Sequence, residues 1–97
     1  MSAVTLRRPT ESLLADAQDA ADRLVHEFAQ RASMGSTDPR AYWLAGAAVS
    51  AALGLEPASW IRSARAAGAS WQTVADAMGL TKGNVHGQYR YLDHLEN

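Results

Sequence analysis

Residues 71–90 read WQTVADAMGLTKGNVHGQYR, and the punctuation of this stretch decides the fold. Ser70, just ahead of it, suits an N-cap, because its hydroxyl accepts from the free amides of a first helical turn. Gly79 is placed to close that helix, since glycine takes the positive φ of a C-terminal cap at no steric cost. Thr81 then caps a further helix, which is expected to run to about Tyr91 and on towards Leu95. Two helices joined by so short a turn cross steeply and need a small residue where they touch, and Ala75 is small. Val85 is the apolar residue with which the second helix faces back. Val74, Met78 and Leu80 are expected to fill the remaining interior positions. The stretch therefore predicts a helix-turn-helix, with Ser70–Gly79 as its supporting helix and Thr81–Tyr91 as its exposed one.

Val74-Ala75-Asp76, Met78-Gly79 and Val85 resemble the helix-turn-helix of lambda-type phage repressors. From Ala64 onward, ARAAGASWQTVADAMGLTKGNVHGQY is also similar to small actinobacterial helix-turn-helix proteins and to the related sigma-factor region 4 fold. The likeness covers about a third of the chain. One position departs from the lambda-type pattern, which has an apolar residue three after the buried valine, where this chain has Gln88. Tyr89 and Leu92 lie on the Val85 side of the helical wheel and complete the inner face instead.

The resemblance implies DNA binding, with the second helix in the major groove. The same wheel puts Lys82, Gly83, His86, Gly87 and Arg90 on or near its outer face, with Asn84, Gln88 and Tyr91 along one flank. Lys82 is suited to guanine or phosphate, Asn84 and Gln88 to adenine edges, and Arg90 to the backbone near the helix end. Thr81, as the cap, joins this set. Gln72 and Thr73, in the first turn of the supporting helix, offer polar groups and free amides to phosphate. Gly83 and Gly87 each cost roughly 1 kcal/mol in a helix relative to alanine. Either close backbone approach to DNA requires them or tertiary contacts tolerate them.

Upstream, Glu56-Pro57 restarts the chain as a helix carrying Trp60, Ile61, Ala64 and Ala67, which Gly68 ends. Arg62 and Arg65 fall away from its Trp60–Ala64 side. Trp60 and Trp71 read as core packing between this helix and the next. Asp38-Pro39 supplies an N-cap and a first-turn proline for an earlier helix that runs to about Gly54. That segment, AYWLAGAAVSAALG, has almost no polar face, so it is either the hub of the bundle or part of a subunit interface. SMGSTD, residues 33–38, is the linker before it. From Thr10 to about Ala32, Leu14, Ala17, Ala21, Leu24 and Phe28 recur at helical spacing. They form a two-heptad seam that could cover the chain's own core or pair with a symmetry mate. Residues 1–9, with Arg7-Arg8, read as an arm.

The 97 residues suit one compact unit, and 47% hydrophobic with 20% charged residues is a globular composition. The absence of cysteine excludes disulfide scaffolds, thiolate zinc sites and thiol nucleophiles. The most apolar run, Ala41 to Leu55, is shorter than the ~20 residues of a membrane span. Pro9-Thr10-Glu11 stands where a signal peptide needs an apolar stretch. Net charge is −1 overall, but residues 1–56 carry −2 and residues 57–92 carry +3, so the basic part is C-terminal.

His26-Glu27 begins a zincin-like pattern, yet Gln30 occupies the place of its second histidine. His86 and His94 supply only two ligands. With no phosphate loop, nucleophile elbow or paired carboxylates, neither an enzyme nor a metal or other cofactor is expected.

The expectation is an all-α bundle of five helices: an arm (1–9), a helical pair for core and dimerisation (10–56) and a DNA-binding unit (57–97). Its expected role is a cytoplasmic, sequence-specific double-stranded DNA-binding regulator, a homodimeric repressor without a membrane partner or small-molecule ligand. Two alternatives stay open: an interaction adaptor of the same fold, for example on RNA polymerase, and a plasmid partition or antitoxin-type DNA-binding protein.

Overall fold

The computed structural model describes residues 10–94; the arm at 1–9, with Arg7-Arg8, and the expected helix end at Leu95 lie outside them. The described residues are all-α: α1 (Thr10–Ser33), α2 (Ala41–Ala52), α3 (Ala58–Ala66), α4 (Trp71–Met78) and α5 (Lys82–Tyr89), followed by a 3-10 helix, Arg90–His94. The last helix is thus shorter than expected, because its hydrogen bonding tightens at Arg90. Leu92, expected on the α5 wheel, is buried from the 3-10 segment. No helix among the described residues is long and apolar enough to cross a membrane.

The start of α2 differs from the expected Asp38 cap. The helix begins at Ala41, and the residue before it, Arg40, makes no side-chain cap bond. Asp38 instead closes the preceding turn: Oδ1 accepts from the Arg40 amide at 2.9 Å, and its carboxylate pairs with the Arg40 guanidinium at 2.9 Å. Those hydrogen bonds from Arg40 lower the Asp38 pKa to about 2.

α2 is the hub, packed against α1, α3 and α4. It is rich in small residues, so neighbouring helices come close. At Gly46 the Trp60 side chain lies against the α2 backbone, and an added Cβ would fall within its ring atoms. Trp60 thereby packs on the α1–α2 side, in tilted and edge contacts with His26, Tyr42 and Trp43. His26 Nδ1 is hydrogen-bonded to the Tyr42 hydroxyl across the α1–α2 contact. Trp71 lies elsewhere, beneath Arg65 of α3 and beside His86, so it makes the expected α3–α4 contact, whereas Trp60 faces α1 and α2.

α1 meets α2 with a face rotated from the expected stripe. Val25 and Ala29 are buried and Ala21 half-buried, whereas Leu14 is 61%, Leu24 42% and Phe28 42% exposed. Length contributes to this. α1 has 24 residues and α2 has 12, or ~36 Å against ~18 Å of helix, so one end of α1 overhangs its partner. Residues 14–20 are accordingly exposed throughout.

Candidate nucleic-acid interface

The α4–α5 unit is built from local signals. Ser70 Oγ accepts from the Thr73 amide at 3.1 Å, and Gly79, at φ +71°, ends α4. The Leu80 amide returns to the Ala75 carbonyl at 2.9 Å and that of Gly79 to Asp76 at 3.2 Å, which together make a Schellman turn. Thr81 Oγ1 then accepts from the Asn84 amide at 3.2 Å and starts α5. Three residues, Gly79 to Thr81, therefore separate the helices. Ala75, Val74 and Val85 are fully buried between them, and Met78 and Tyr89 are half-buried. Leu80 corrects the expected interior: it is 42% exposed, because the turn that redirects its amide to Ala75 leaves its side chain outside the α4–α5 contact.

The unit is tied to the rest of the chain by polar contacts over long sequence separations. The Arg65 guanidinium pairs with Asp93 at 2.9 Å, donates to the Ala69 carbonyl at 2.9 Å and lies 4.5 Å above the Trp71 ring. Trp71 Nε1 donates to the same Asp93 carboxylate at 3.2 Å. The hydrogen bond from Arg65 foremost lowers the Asp93 pKa; burial opposes it, and the Trp71 hydrogen bond adds to the lowering. Across the unit, burial raises the Tyr89 phenol pKa, reinforced by its hydrogen bond and proximity to Glu56. Neither link follows from a local pattern. Aromatic, arginine and carboxylate residues near the helix ends were the only signal of them.

The expected DNA-binding residues divide into two groups. Gln72 donates to Asp76 Oδ1 at 2.8 Å, Thr73 shares a hydroxyl bond with Ser70 at 2.9 Å, and Thr81 is occupied as the cap. Lys82, Gly83, Asn84, His86, Gly87, Gln88 and Arg90 are exposed together on α5 and its continuation. His86 is steadied by an edge contact with Trp71, at 5.5 Å between ring centroids. Gly83 and Gly87 each lie two residues from buried Val85, about 160° round the helix from it. They mark the centre of the outward face, and a Cβ added at either meets nothing within 4 Å. The middle of that face is therefore bare helix backbone, flanked by Asn84 and Gln88 on one side and by Lys82, His86 and Arg90 on the other.

The structure also redistributes the charge. Arg65, counted in the C-terminal basic excess, is paired with Asp93, so the positive charge presented with α5 is that of Lys82 and Arg90. Among the described residues, no three histidine or carboxylate side chains are grouped to hold a metal ion. No protein-family model matches the chain, and comparison with curated proteins and with solved structures finds no match for it.

Proposed function

We propose that this chain is a sequence-specific double-stranded DNA-binding transcriptional regulator of the cytoplasm, a homodimeric repressor that lays the outer face of α5 in the major groove. The observation that carries the reading is the make-up of that face. Hydrogen-bonding side chains that match base edges flank two glycines, and the capped turn and buried Val85 hold the whole rigidly outward. Asn84 and Gln88 have the paired donor and acceptor that adenine presents in the major groove, and Lys82 and Arg90 supply charge for guanine or phosphate.

Selection of bound sites from random duplex DNA at two salt concentrations tests this. A recovered palindromic motif with binding that weakens steeply in salt is expected; recovery of no motif with salt-independent binding sinks it. Asn84→Ala then separates base reading from backbone contact. It should cost on the order of 1–3 kcal/mol on the selected site and little on random DNA.

A specific observation favours a second reading. Leu80 and Tyr91 are exposed near α5, and a glycine-faced helix also lets another protein's helix approach closely. An interaction adaptor would use that surface without salt-dependent DNA binding, so the same selection experiment decides between the two.

A further inference from the structure

We infer that two copies of this chain pair through α1, antiparallel, by closing the exposed strip of Leu14, Ala17, Leu24 and Phe28 on itself. This deepens the homodimer reading above and rests on it. The strip runs beside the core-facing edge of α1, with half-buried Ala21 between the two faces. Val25 and Ala29 already make the contact with α2, so the heptad-spaced residues are left over from the fold rather than used by it. An apolar heptad strip of this kind matches a second helix of the same spacing.

Two features select an antiparallel second copy. The first half of α1, residues 10–21, carries Glu11, Asp16 and Asp19 and no basic residue, whereas the second half balances Arg23 and Arg31 with Asp22 and Glu27. Parallel pairing sets the acidic halves against each other, whereas antiparallel pairing sets each against the charge-balanced half, in which Arg31 is paired with Glu27 at 3.1 Å. The second feature is size. In an antiparallel seam the alternate positions face each other, which brings Ala17 against Phe28 and Ala21 against Leu24 of the second copy. At these positions each large apolar side chain meets a small one, while Leu14, at the end of the strip, lies opposite Arg31 of the second copy. α1 packs chiefly on α2, leaving the outer face of α5 open in each copy.

Sedimentation of the full chain, without DNA, tests the pairing separately from DNA binding. A dimer is expected, and the double variant Leu24→Glu/Phe28→Glu should sediment as a monomer with unchanged helicity, since both residues are exposed. Orientation is read on the otherwise intact chain, which has no cysteine of its own. In this register Leu14 lies about 26 Å from its own copy but opposite Arg31 of the other. A short bismaleimide should therefore join Leu14→Cys to Arg31→Cys in a mixture and leave Leu14→Cys alone unlinked. A wild-type chain that stays monomeric at about 100 μM overturns the inference, as does a double variant that stays dimeric or a Leu14→Cys chain that links to itself. A dimer that fails to bind DNA would leave the pairing standing and remove the proposed function instead.

Discussion

Gly83 and Gly87 allow the fold and the proposed interface to be tested against each other with single methyl groups. Both are helical, and a Cβ at either position meets nothing within 4 Å, so alanine fits the free protein without displacing a neighbour. Alanine also removes backbone freedom from the unfolded chain. At Gly87, inside α5, Gly87→Ala should stabilise by about 0.5–1 kcal/mol; at Gly83, in the first turn, by somewhat less. For a chain of this size a gain of about 1 kcal/mol raises Tm by roughly 4–8 °C, which thermal unfolding followed by circular dichroism resolves. On DNA the sign reverses. If bare backbone is what lets α5 approach the bases, a methyl at the centre of its outer face overfills the contact. That costs about 1–3 kcal/mol, a loss of roughly 5- to 160-fold in affinity, measured by fluorescence anisotropy at fixed salt. More stable variants that bind the selected site as tightly as the wild type would refute the reasoning, because the glycines would then have no part in binding.

Two further substitutions probe what holds the unit in place. Gly46→Ala should destabilise by about 1–3 kcal/mol in denaturant titration, because the Trp60 ring occupies the space of the new methyl; an unchanged midpoint would mean that α2 and α3 separate freely. Asp93→Asn should cost about 1 kcal/mol at neutral pH by removing the partner charge of Arg65, which is only partly shielded from solvent. The Asp93 pKa is lowered on folding, so its contribution is present above the ordinary aspartate value of about 4 and is lost as pH falls through the lower folded value. The variant should therefore show a shallower acid decline than the wild type. An unaltered acid limb would show that the Arg65–Asp93 pair contributes nothing to stability.

The α4–α5 unit was legible because its determinants are local. Ser70, Gly79 and Thr81 act within a few residues of themselves, and Ala75 and Val85 are fixed by helical spacing once the turn is placed. The same held for α2, whose apolar surface on all sides matches its central position. α1 was harder to read. Its stripe of large residues and its true core face lie side by side on one helix, so helical spacing alone does not decide which of them meets the α2 contact. Compact Val25 and Ala29 fit there, while Leu24 and Phe28 remain outside. Leu80 had the right composition for the interior but follows a cap that turns the chain outward. The Arg65–Asp93 pair spans 28 residues, and its geometry exists only after α3, α4 and the 3-10 helix have been assembled.

That pair also bears on how many copies a binding event needs. With Arg65 engaged, each copy presents Lys82 and Arg90 from its α5 face, and a helix that neutralises two phosphates has a salt slope of only about −2 on duplex DNA. So shallow a slope belongs to weak binding. Two copies present four such charges, and the expected slope becomes about −4, with the base contacts of two α5 helices added on one palindromic site. The Leu24→Glu/Phe28→Glu variant should accordingly show both a slope near half that of the wild type and a large loss of affinity, although its α5 face is untouched. Lys82→Ala in the dimer should lower the slope by about 2, one for each copy, if Lys82 contacts phosphate. A single-copy slope in the wild type would mean that one α5 helix binds alone. Under the proposed function a net charge of −1 for the whole chain is compatible with DNA binding, because phosphate contacts would depend on the few cations presented beside α5 and on how many copies present them.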